Sequence, residues 1–474
     1  MFFRQFRVEG LGCYSYLIGC PGAGVACVVD PERFVDHYID TAQSNEMRIT
    51  HIFDTHLHAD HLTGSVELAE RTGGRIHVHP GVQAEYDHCP LAEGDRFRFG
   101  SAGIQVLETP GHTPNSVTLC LTDHSRSDEV MLLLTGDLLF VGDIGRPDLA
   151  GEDMLEEQVR NLYHSLYEKL GQFPDWTEVY PAHGEGSLCG KGMSAKSMST
   201  LGFERRHNPL LNAMDFQRFR EIMLADFQLR PPNFIAIVDK NRTPATRLTG
   251  LTEPRKLAAP QVEEAREHGA VLVDIRPATA FGAAFIPGAL NIGLAPASAN
   301  WLGTVVDAGR ELVLIAHDEV DVRHAVKQFR RVGYDRIIGY IDRGVSTWAA
   351  AGKPLEHLPQ LSVQSLKHVL EKYPDHLLLD VRTEEEWRTG HVTRARHKPV
   401  SRLLREGIDI RPERHITLVC SSGYRSNIAG SYLKAHGYRH VFSLIGGMTA
   451  WENFHRYTTE PSGVKGMDPT PPNK

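Results

Sequence analysis

Short apolar runs separated by turns dominate the chain up to about residue 240. Runs of this length, rich in β-branched and large apolar residues, are typical of strands, and they include SYLIG, GVACVVD, GIQVLE, VMLLLTG and TEVYP. The longer stretch EDMLEEQVRNLYHSLYEKLG instead repeats leucine and valine at helical spacing between an acidic first turn and a closing glycine, so it predicts a helix. FQRFREIMLADF is a second predicted helix. Strands and helices mixed in this way predict an α/β domain over residues 1–240.

The second half of the chain repeats itself. VLVDIRPATAF, beginning at 271, matches LLLDVRTEEEW, beginning at 377, and the offset is 106 from Asp274 to Asp380, 104 from Gly333 to Gly437 and 103 from Trp348 to Trp451. Such a nearly constant shift predicts two copies of one α/β module, at 263–357 and 363–458. The polar, proline-bearing residues 241–262 are a predicted linker, and residues 459–474 are a predicted mobile tail.

Composition narrows the classes of function. A chain of 474 residues with a formal net charge of −8 is long enough for several domains and lacks the basic excess of a nucleic-acid binder. No apolar run is long enough to cross a membrane, and Arg4 and Arg7 interrupt any apolar signal segment. Seven cysteines, an odd number spread thinly, are unlike a disulfide framework. We expect a cytoplasmic protein with no nucleic-acid or membrane partner.

Histidines and aspartates follow four of the predicted strands. THLHADH follows ITHIF, and the other three groups follow GIQVLE, VMLLL and TEVY. Strand ends can bring distant side chains together on a rigid support, and clusters of these residue types mark metal sites. The candidate ligands are His56, His58, Asp60, His61, His112, Asp137 and His183. The residues alone leave open whether they hold one ion or two.

THLHADH, PGHTPNS, TGDLLF and PAHG occur in the order found in the metallo-β-lactamase superfamily, which residues 1–235 resemble. The resemblance implies an αββα sandwich with the metal at one edge. In two-metal members, similar to glyoxalase II, one zinc would bind His56, His58 and His112, and a second would bind Asp60, His61 and His183, with Asp137 bridging. The chain would then be a thioester hydrolase.

The persulfide dioxygenase branch of the superfamily implies a different site. There one Fe(II) per chain would bind His56, His112 and Asp137, while the other four candidates surround it. Two histidines and one carboxylate leave coordination positions open for both O₂ and substrate. GDIGRPDL resembles the loop that presents Arg146, with Asp148 beside it, to a thiol carrier. Cys189, six residues after His183, is a further candidate for sulfur handling. We favour this dioxygenase interpretation.

HITLVCSSGYRSNIAGSYL places Cys420 in a short loop between a strand and a helix. Backbone N–H groups there would stabilise a thiolate, and Arg425 would add a positive charge. The stretch resembles the rhodanese loop C-x-x-G-x-R, which implies a catalytic Cys420 and Arg425 and a substrate site formed by Ser421, Ser422, Gly423 and Tyr424. Nearby, Arg394, Arg396 and Lys398 indicate a solvated basic surface or, alternatively, a site for sulfite or thiosulfate.

The first copy of the module lacks this chemistry. At an offset of 104, Ala316 stands at the Cys420 position and Asp321 at the Arg425 position. Without a thiol no covalent sulfur transfer is possible there, so we expect an inactive rhodanese-like domain.

The order of the three domains resembles bacterial fusions of a persulfide dioxygenase with rhodanese domains. The resemblance implies oxidation of glutathione, coenzyme A, bacillithiol or cysteine persulfide by O₂ to sulfite. Sulfur transfer at Cys420, with sulfite and thiosulfate as reactants, would be coupled to it in sulfide detoxification. It also implies a homo-oligomer.

Overall fold

The computed structural model describes residues 1–8, 10–187, 190, 192–212, 215–225, 233–244 and 247–459. The chain divides into two compact units. One contains residues 1–254, 295–311 and 323–338, and the other contains residues 255–294 and 312–322 and those from 339 on. Among the described residues, none of the helices has the length and apolar character needed to cross a bilayer.

The front domain contains two six-stranded sheets. The first has the order β1-β2-β3-β4-β5-β6, with β1 Phe2–Val8, β2 Cys13–Cys20, β3 Val25–Val29, β4 Arg48–Phe53, β5 Arg75–Val78 and β6 Cys89–Pro90. The second has the order β12-β11-β10-β9-β8-β7, with β7 Arg96–Phe99, β8 Ala102–Glu108, β9 Val117–Asp123, β10 Leu132–Gly136, β11 Glu178–Pro181 and β12 Ser199–Thr200. Both sheets combine parallel and antiparallel pairs.

Six helices flank the two sheets: α1 Asp36–Ser44, α2 Ser65–Thr72, α3 Leu155–His164, α4 Leu201–His207, α5 Phe216–Ala225 and α6 Asn233–Arg242. Alternate residues of β2 show why the strands are almost uniformly apolar. Tyr16 and Ile18 face the core between the sheets, whereas Leu17 packs on the opposite face with residues of α1 and α2. Leu162 of α3 and Phe219 of α5 cover the outer face of the second sheet. These layers confirm the predicted αββα sandwich.

The two copies of the repeated module have the same topology. The first is β13 Arg255–Lys256, α7 Ala259–Glu267, β14 Val271–Asp274, α8 Ala278–Ala283, β15 Leu290–Asn291, α9 Ser298–Val305, β16 Leu312–Ile315, α10 Glu319–Arg331, β17 Ile337–Ile341 and α11 Gly344–Ala350. The second is β18 Gln360–Leu361, α12 Val363–Lys372, β19 Leu377–Asp380, α13 Glu384–Thr389, β20 Arg396–His397, α14 Val400–Glu406, β21 Ile416–Val419, α15 Tyr424–Ala435, β22 Val441–Leu444 and α16 Gly447–Thr459.

The sheet orders are β13-β17-β16-β14-β15 and β18-β22-β21-β19-β20, which are the same order counted from each copy's first strand. In both copies an aspartate at the end of the second strand holds the arginine two residues later, Asp274 with Arg276 and Asp380 with Arg382. The internal repeat predicted from the sequence is therefore confirmed in the fold.

Candidate metal centre and rhodanese loop

Three of the predicted ligands converge at the ends of three strands. His56 follows β4, His112 follows β8 and Asp137 follows β10. The Nε2 atoms of His56 and His112 lie 3.7 and 3.3 Å from Asp137 Oδ2. All three side chains are buried, and Asp137 Oδ2 has no hydrogen-bond partner among the residues that the structure describes. A buried carboxylate oxygen without a donor, facing two imidazole nitrogens, is the arrangement expected where a metal ion supplies the missing partner.

The Nδ1 atoms of His56 and His112 have neighbours that fix the orientation of the two rings. His112 Nδ1 lies 2.9 Å from the carbonyl oxygen of Arg146, to which it can donate, leaving the Nε2 lone pair directed at Asp137. Thr55 Oγ1 lies 3.0 Å from His56 Nδ1. Burial lowers the pKa of His56 to about 3 and also lowers that of His112. Both rings are therefore neutral at physiological pH, which is the protonation state that binds metal.

His183 holds the other oxygen of Asp137. Its Nδ1 lies 2.5 Å from Asp137 Oδ1, and its Nε2 lies 2.9 Å from Asp60 Oδ2. Burial opposes ionisation of Asp137, but the adjacent His183 and His56 rings keep the pKa of its carboxyl well below its ordinary value. His183 therefore connects Asp137 to Asp60 and keeps Asp137 ionised.

His58 lies beside His56, with ring centres 4.3 Å apart, but its Nε2 faces a different carboxylate. Its Nε2 lies 3.3 Å from Asp30 Oδ1, and one donor atom each of Asp30, Asp54 and His58 lie within 4.8 Å of one another. Asp30 has a left-handed backbone, with φ of 50°, and accepts both the N–H and the hydroxyl of Thr55. Asp30 thus anchors the loop after β4, and the donor atom of His58 groups with Asp30 and Asp54 and not with those of His56, His112 and Asp137.

A third cluster contains a cysteine that the sequence pattern did not single out. Cys13 Sγ lies 3.4 Å from Asp60 Oδ2 and 3.6 Å from His61 Nδ1, and His183 completes the group. Cys13 reaches it because the start of β2 forms an isolated antiparallel bridge with His183. Thiolate, carboxylate and imidazole donors suit zinc, so this group is a candidate for a second ion.

The turn after Asp137 closes the site from one side. Leu139 and Ile144 form an isolated bridge, and Gly145 N–H donates to the carbonyl of Leu138 at 3.2 Å. Arg146, predicted to bind a substrate carboxylate, pairs with Asp148 through Nε and Nη2, each at 2.7 Å. The backbone of this turn thus orients His112, while the Arg146 guanidinium is engaged by Asp148. Cys189 lies outside the described residues.

In the second rhodanese-like module, β21 delivers the buried Cys420 to the start of α15. Gly423 N–H donates to Cys420 Sγ at 3.1 Å, and Gly423 adopts φ of 104°, which favours glycine. Ser421 is half-buried and Ser422 is exposed. Tyr424 donates its hydroxyl to the carbonyl of Gly293 in the first copy at 2.8 Å. Of the predicted loop residues, Gly423 contacts the thiol directly, through its backbone N–H.

Arg425 forms an ion pair with Glu386, a residue that the sequence pattern did not indicate. Its Nη1 and Nη2 lie 2.7 and 2.6 Å from the two carboxylate oxygens of Glu386.

In the first copy, Ala316 follows β16 as Cys420 follows β21. Ala316 is buried and carries no nucleophile, in agreement with the predicted loss of sulfur chemistry in that copy.

Comparisons with known proteins agree with this architecture. The model of the metallo-beta-lactamase superfamily matches residues 8–183, and that of the rhodanese-like domain matches 258–351 and 362–454. The mitochondrial persulfide dioxygenase ETHE1 of Bos taurus is 31% identical over 217 residues, which are 44% of this chain and 75% of that protein. A hydroxyacylglutathione hydrolase of Polaromonas sp. is 34% identical over 235 residues, 47% of this chain and 84% of that protein.

Among solved structures, a metallo-beta-lactamase from Staphylococcus aureus subsp. aureus COL aligns with a TM-score of 0.65 and 30% identity. The alignment covers 72% of this chain and 99% of that one, so it extends well beyond the front domain. The chain belongs to the metallo-β-lactamase superfamily, and its metallo-β-lactamase domain is followed by two rhodanese-like domains.

Proposed function

We propose that the protein oxidises a low-molecular-weight persulfide with O₂ at a single Fe(II) bound by His56, His112 and Asp137. The overall reaction converts R–S–SH, O₂ and water into R–SH, sulfite and two protons. The observation that supports the proposal is the grouping of donor atoms: those of His56, His112 and Asp137 lie within 4.8 Å of one another, whereas that of His58 falls in a group with Asp30 and Asp54. An iron ion bound by this set would supply open positions for O₂ and the persulfide.

The residues of the chain have distinct tasks in this reaction. The carbonyl of Arg146 orients His112, and His183 keeps Asp137 ionised and in place. Leu138, Phe140 and Ile144 are buried in the strand and turn that carry Asp137 and exclude water from its backbone. We infer that Arg146, held in place by Asp148, binds a carboxylate of the thiol carrier, a role that suits its planar guanidinium.

In the second half of the proposal, Cys420 carries sulfane sulfur. Its thiolate attacks the outer sulfur of a persulfide or thiosulfate, and the thiol or sulfite leaves. The N–H of Gly423 stabilises the thiolate. Sulfite produced by the front domain is a chemically competent acceptor for this sulfur, which would leave as thiosulfate.

Oxygen consumption with glutathione persulfide, on full-length protein whose metals have been counted, tests the first half. One iron per chain together with persulfide-dependent uptake is the expected result. Iron-loaded protein that leaves O₂ untouched would contradict the proposal. Cys420→Ala should retain this uptake and lose sulfur transfer, with Cys89→Ala as the control, because Cys420 belongs to a separate domain.

A di-zinc thioester hydrolase is the second candidate, and the cluster of Cys13, Asp60, His61 and His183 favours it by offering donors for another ion. This candidate predicts two zinc ions per chain, hydrolysis of a glutathione thioester and no O₂ uptake. The same metal count and substrate assays therefore separate the two.

A further inference from the structure

At the entrance to the Cys420 loop, the positive charge of Arg425 is already paired with a carboxylate. Arg425 forms a two-point ion pair with Glu386, and its Nη2 also donates to Ser421 Oγ at 2.7 Å. Ser421 in turn donates to Glu386 Oε1 at 2.5 Å. Burial opposes ionisation of Glu386, but Arg425 and Ser421 hold its pKa far below the ordinary value. Both partners are thus charged and fixed beside the sulfur-carrying residue.

The start of its own helix, α13, also holds Glu386. Thr383 begins α13 with a capping box: its side chain accepts from Glu386 N–H, and its own N–H donates to Glu386 Oε2 at 2.9 Å. A carboxylate restrained by its helix start and by Arg425 cannot move aside when an anion approaches. The negative charge of Glu386 therefore stays at the entrance to the Cys420 loop.

Two of the three basic residues that the sequence suggested as an anion site, Arg394 and Lys398, are engaged elsewhere, whereas Arg396 is exposed on β20. Arg394 donates to the carbonyls of Leu370 and Pro374, at 2.8 and 2.9 Å. Lys398 lies 3.3 Å from Glu406 Oε2. Neither is available as a free cation for a doubly charged oxyanion. At Cys420 itself, the N–H of Gly423 and the start of α15 contribute a positive potential equivalent to about half an elementary charge.

We infer that Glu386 is a specificity-determining residue that makes the Cys420 loop favour thiol-borne persulfides over thiosulfate as sulfur donors. The inference deepens the sulfur-transfer half of the proposed function and rests on it. With a persulfide, Cys420–S⁻ and R–S–SH give Cys420–S–SH and R–S⁻: the new S–S bond forms as the donor's S–S bond breaks, and the thiolate leaves with the electron pair. Thiosulfate would bring two negative charges close to Glu386, whereas the reacting persulfide group brings one at most.

The test compares Glu386→Gln with Glu385→Gln in the full-length chain. Glutamine keeps the shape of Glu386 and can still accept the Thr383 N–H, but it frees the charge of Arg425. Glu385 is exposed on the same helix and is the matched control. The rate at which Cys420 becomes persulfidated is measured by peptide mass spectrometry after alkylation, with sodium thiosulfate and with cysteine persulfide as separate donors.

For Glu386→Gln we expect the thiosulfate rate constant to rise about three- to tenfold and to become more sensitive to salt, because an unpaired guanidinium attracts a dianion. The persulfide rate constant should change less than about twofold, since its charge is lower. Arg425→Gln, which leaves Glu386 unpaired, should lower the thiosulfate rate more than the persulfide rate. Glu385→Gln should match the unmodified chain for both donors.

Equal changes for both donors in Glu386→Gln would overturn the inference, because they would indicate a purely structural ion pair. An unchanged thiosulfate rate in a variant with normal thermal unfolding would overturn it as well. If the unmodified chain is persulfidated at Cys420 by neither donor, the sulfur-transfer function itself fails. That result is distinct from a chain that accepts sulfur from both donors without discrimination by Glu386.

Discussion

Asp137 uses its two carboxylate oxygens differently. Oδ1 is held by His183, and Oδ2 faces His56 and His112 without a hydrogen-bond donor. His183 thus acts on the candidate metal through Asp137 in the one-iron arrangement, whereas in a two-metal arrangement it would be a ligand. Substitution of His183 distinguishes these roles at the level of one side chain.

We expect His183→Gln to retain one iron per chain at saturating iron, with an affinity about 10–100-fold lower, as is typical when the residue that orients a ligand is lost. Metal titration of the purified variant measures this. His207→Gln, an exposed histidine on α4, is the control. A fall from two bound metals to one would instead support the two-metal hydrolase.

We expect His77 to make the free energy of unfolding of the front domain depend on pH, independently of the metal centre. Its ring is buried, stacks on Phe53 with ring centres 4.9 Å apart and has no hydrogen-bond partner at either nitrogen. Burial lowers its pKa to about 4. Because the pKa of an unfolded histidine is about 6.5, the unfolded state binds the proton first as the pH falls.

The stability contributed by neutral His77 is therefore fully present above about pH 6.5 and is lost as the pH falls towards 4, by about 1–3 kcal/mol. His77→Phe should flatten the pH dependence of the free energy of unfolding in this window. Urea unfolding of the front-domain transition at several pH values measures the effect, with His207→Phe as the exposed control. Parallel pH curves for His77→Phe and the unmodified chain would argue against this assignment.

At the scale of elements, the turn after β10 has to approach the Asp137 backbone very closely. A methyl group at Gly145 would lie 1.8 Å from the carbonyl oxygen of Asp137 and 3.1 Å from His112 Cβ. The same turn supplies the Arg146 carbonyl that orients His112. Only glycine at position 145 lets this turn close over two candidate ligands at once.

Gly145→Ala should therefore displace the turn, destabilise the front domain by about 1–3 kcal/mol as overpacking does, and lower the bound iron. Gly171→Ala is the matched control, because nothing lies within 4 Å of the added methyl group. Iron content and thermal unfolding are measured on both variants. Normal iron content in Gly145→Ala would show that the turn can move without affecting His112 and Asp137.

The strands and the placement of the ligands were predictable because both depend on local sequence. Apolar runs predict the strands, and His56, His112 and Asp137 each follow one directly. Cys13 was not predictable in this way, since it joins the site only through the bridge between β2 and His183. The role of Glu386 was not predictable for the same reason. Its capping box with Thr383 follows from the local sequence, but its partner Arg425 lies 39 residues further along the chain.

On the scale of the whole molecule, the boundaries of the compact units do not follow the sequence repeat. The unit that contains the metallo-β-lactamase residues also includes 295–311 and 323–338, which belong to the first rhodanese-like copy. Within this unit, Arg331 donates to Glu32 through Nε and Nη2, at 3.0 and 2.9 Å, and both side chains are buried. The first copy carries an alanine at the Cys420 position, but part of it belongs to the front unit.

This organisation predicts the result of breaking the buried pair. Glu32→Ala leaves the Arg331 guanidinium buried without its counter-ion, which costs about 3–5 kcal/mol. Glu70→Ala, which breaks an exposed pair with Arg247 on the same domain, should cost less than about 1 kcal/mol. Differential scanning calorimetry of the metal-loaded chain should show the transition of the front unit at a clearly lower temperature in Glu32→Ala than in Glu70→Ala. If both variants unfold like the unmodified chain, the buried pair between Glu32 and segment 323–338 contributes nothing to the stability of that unit.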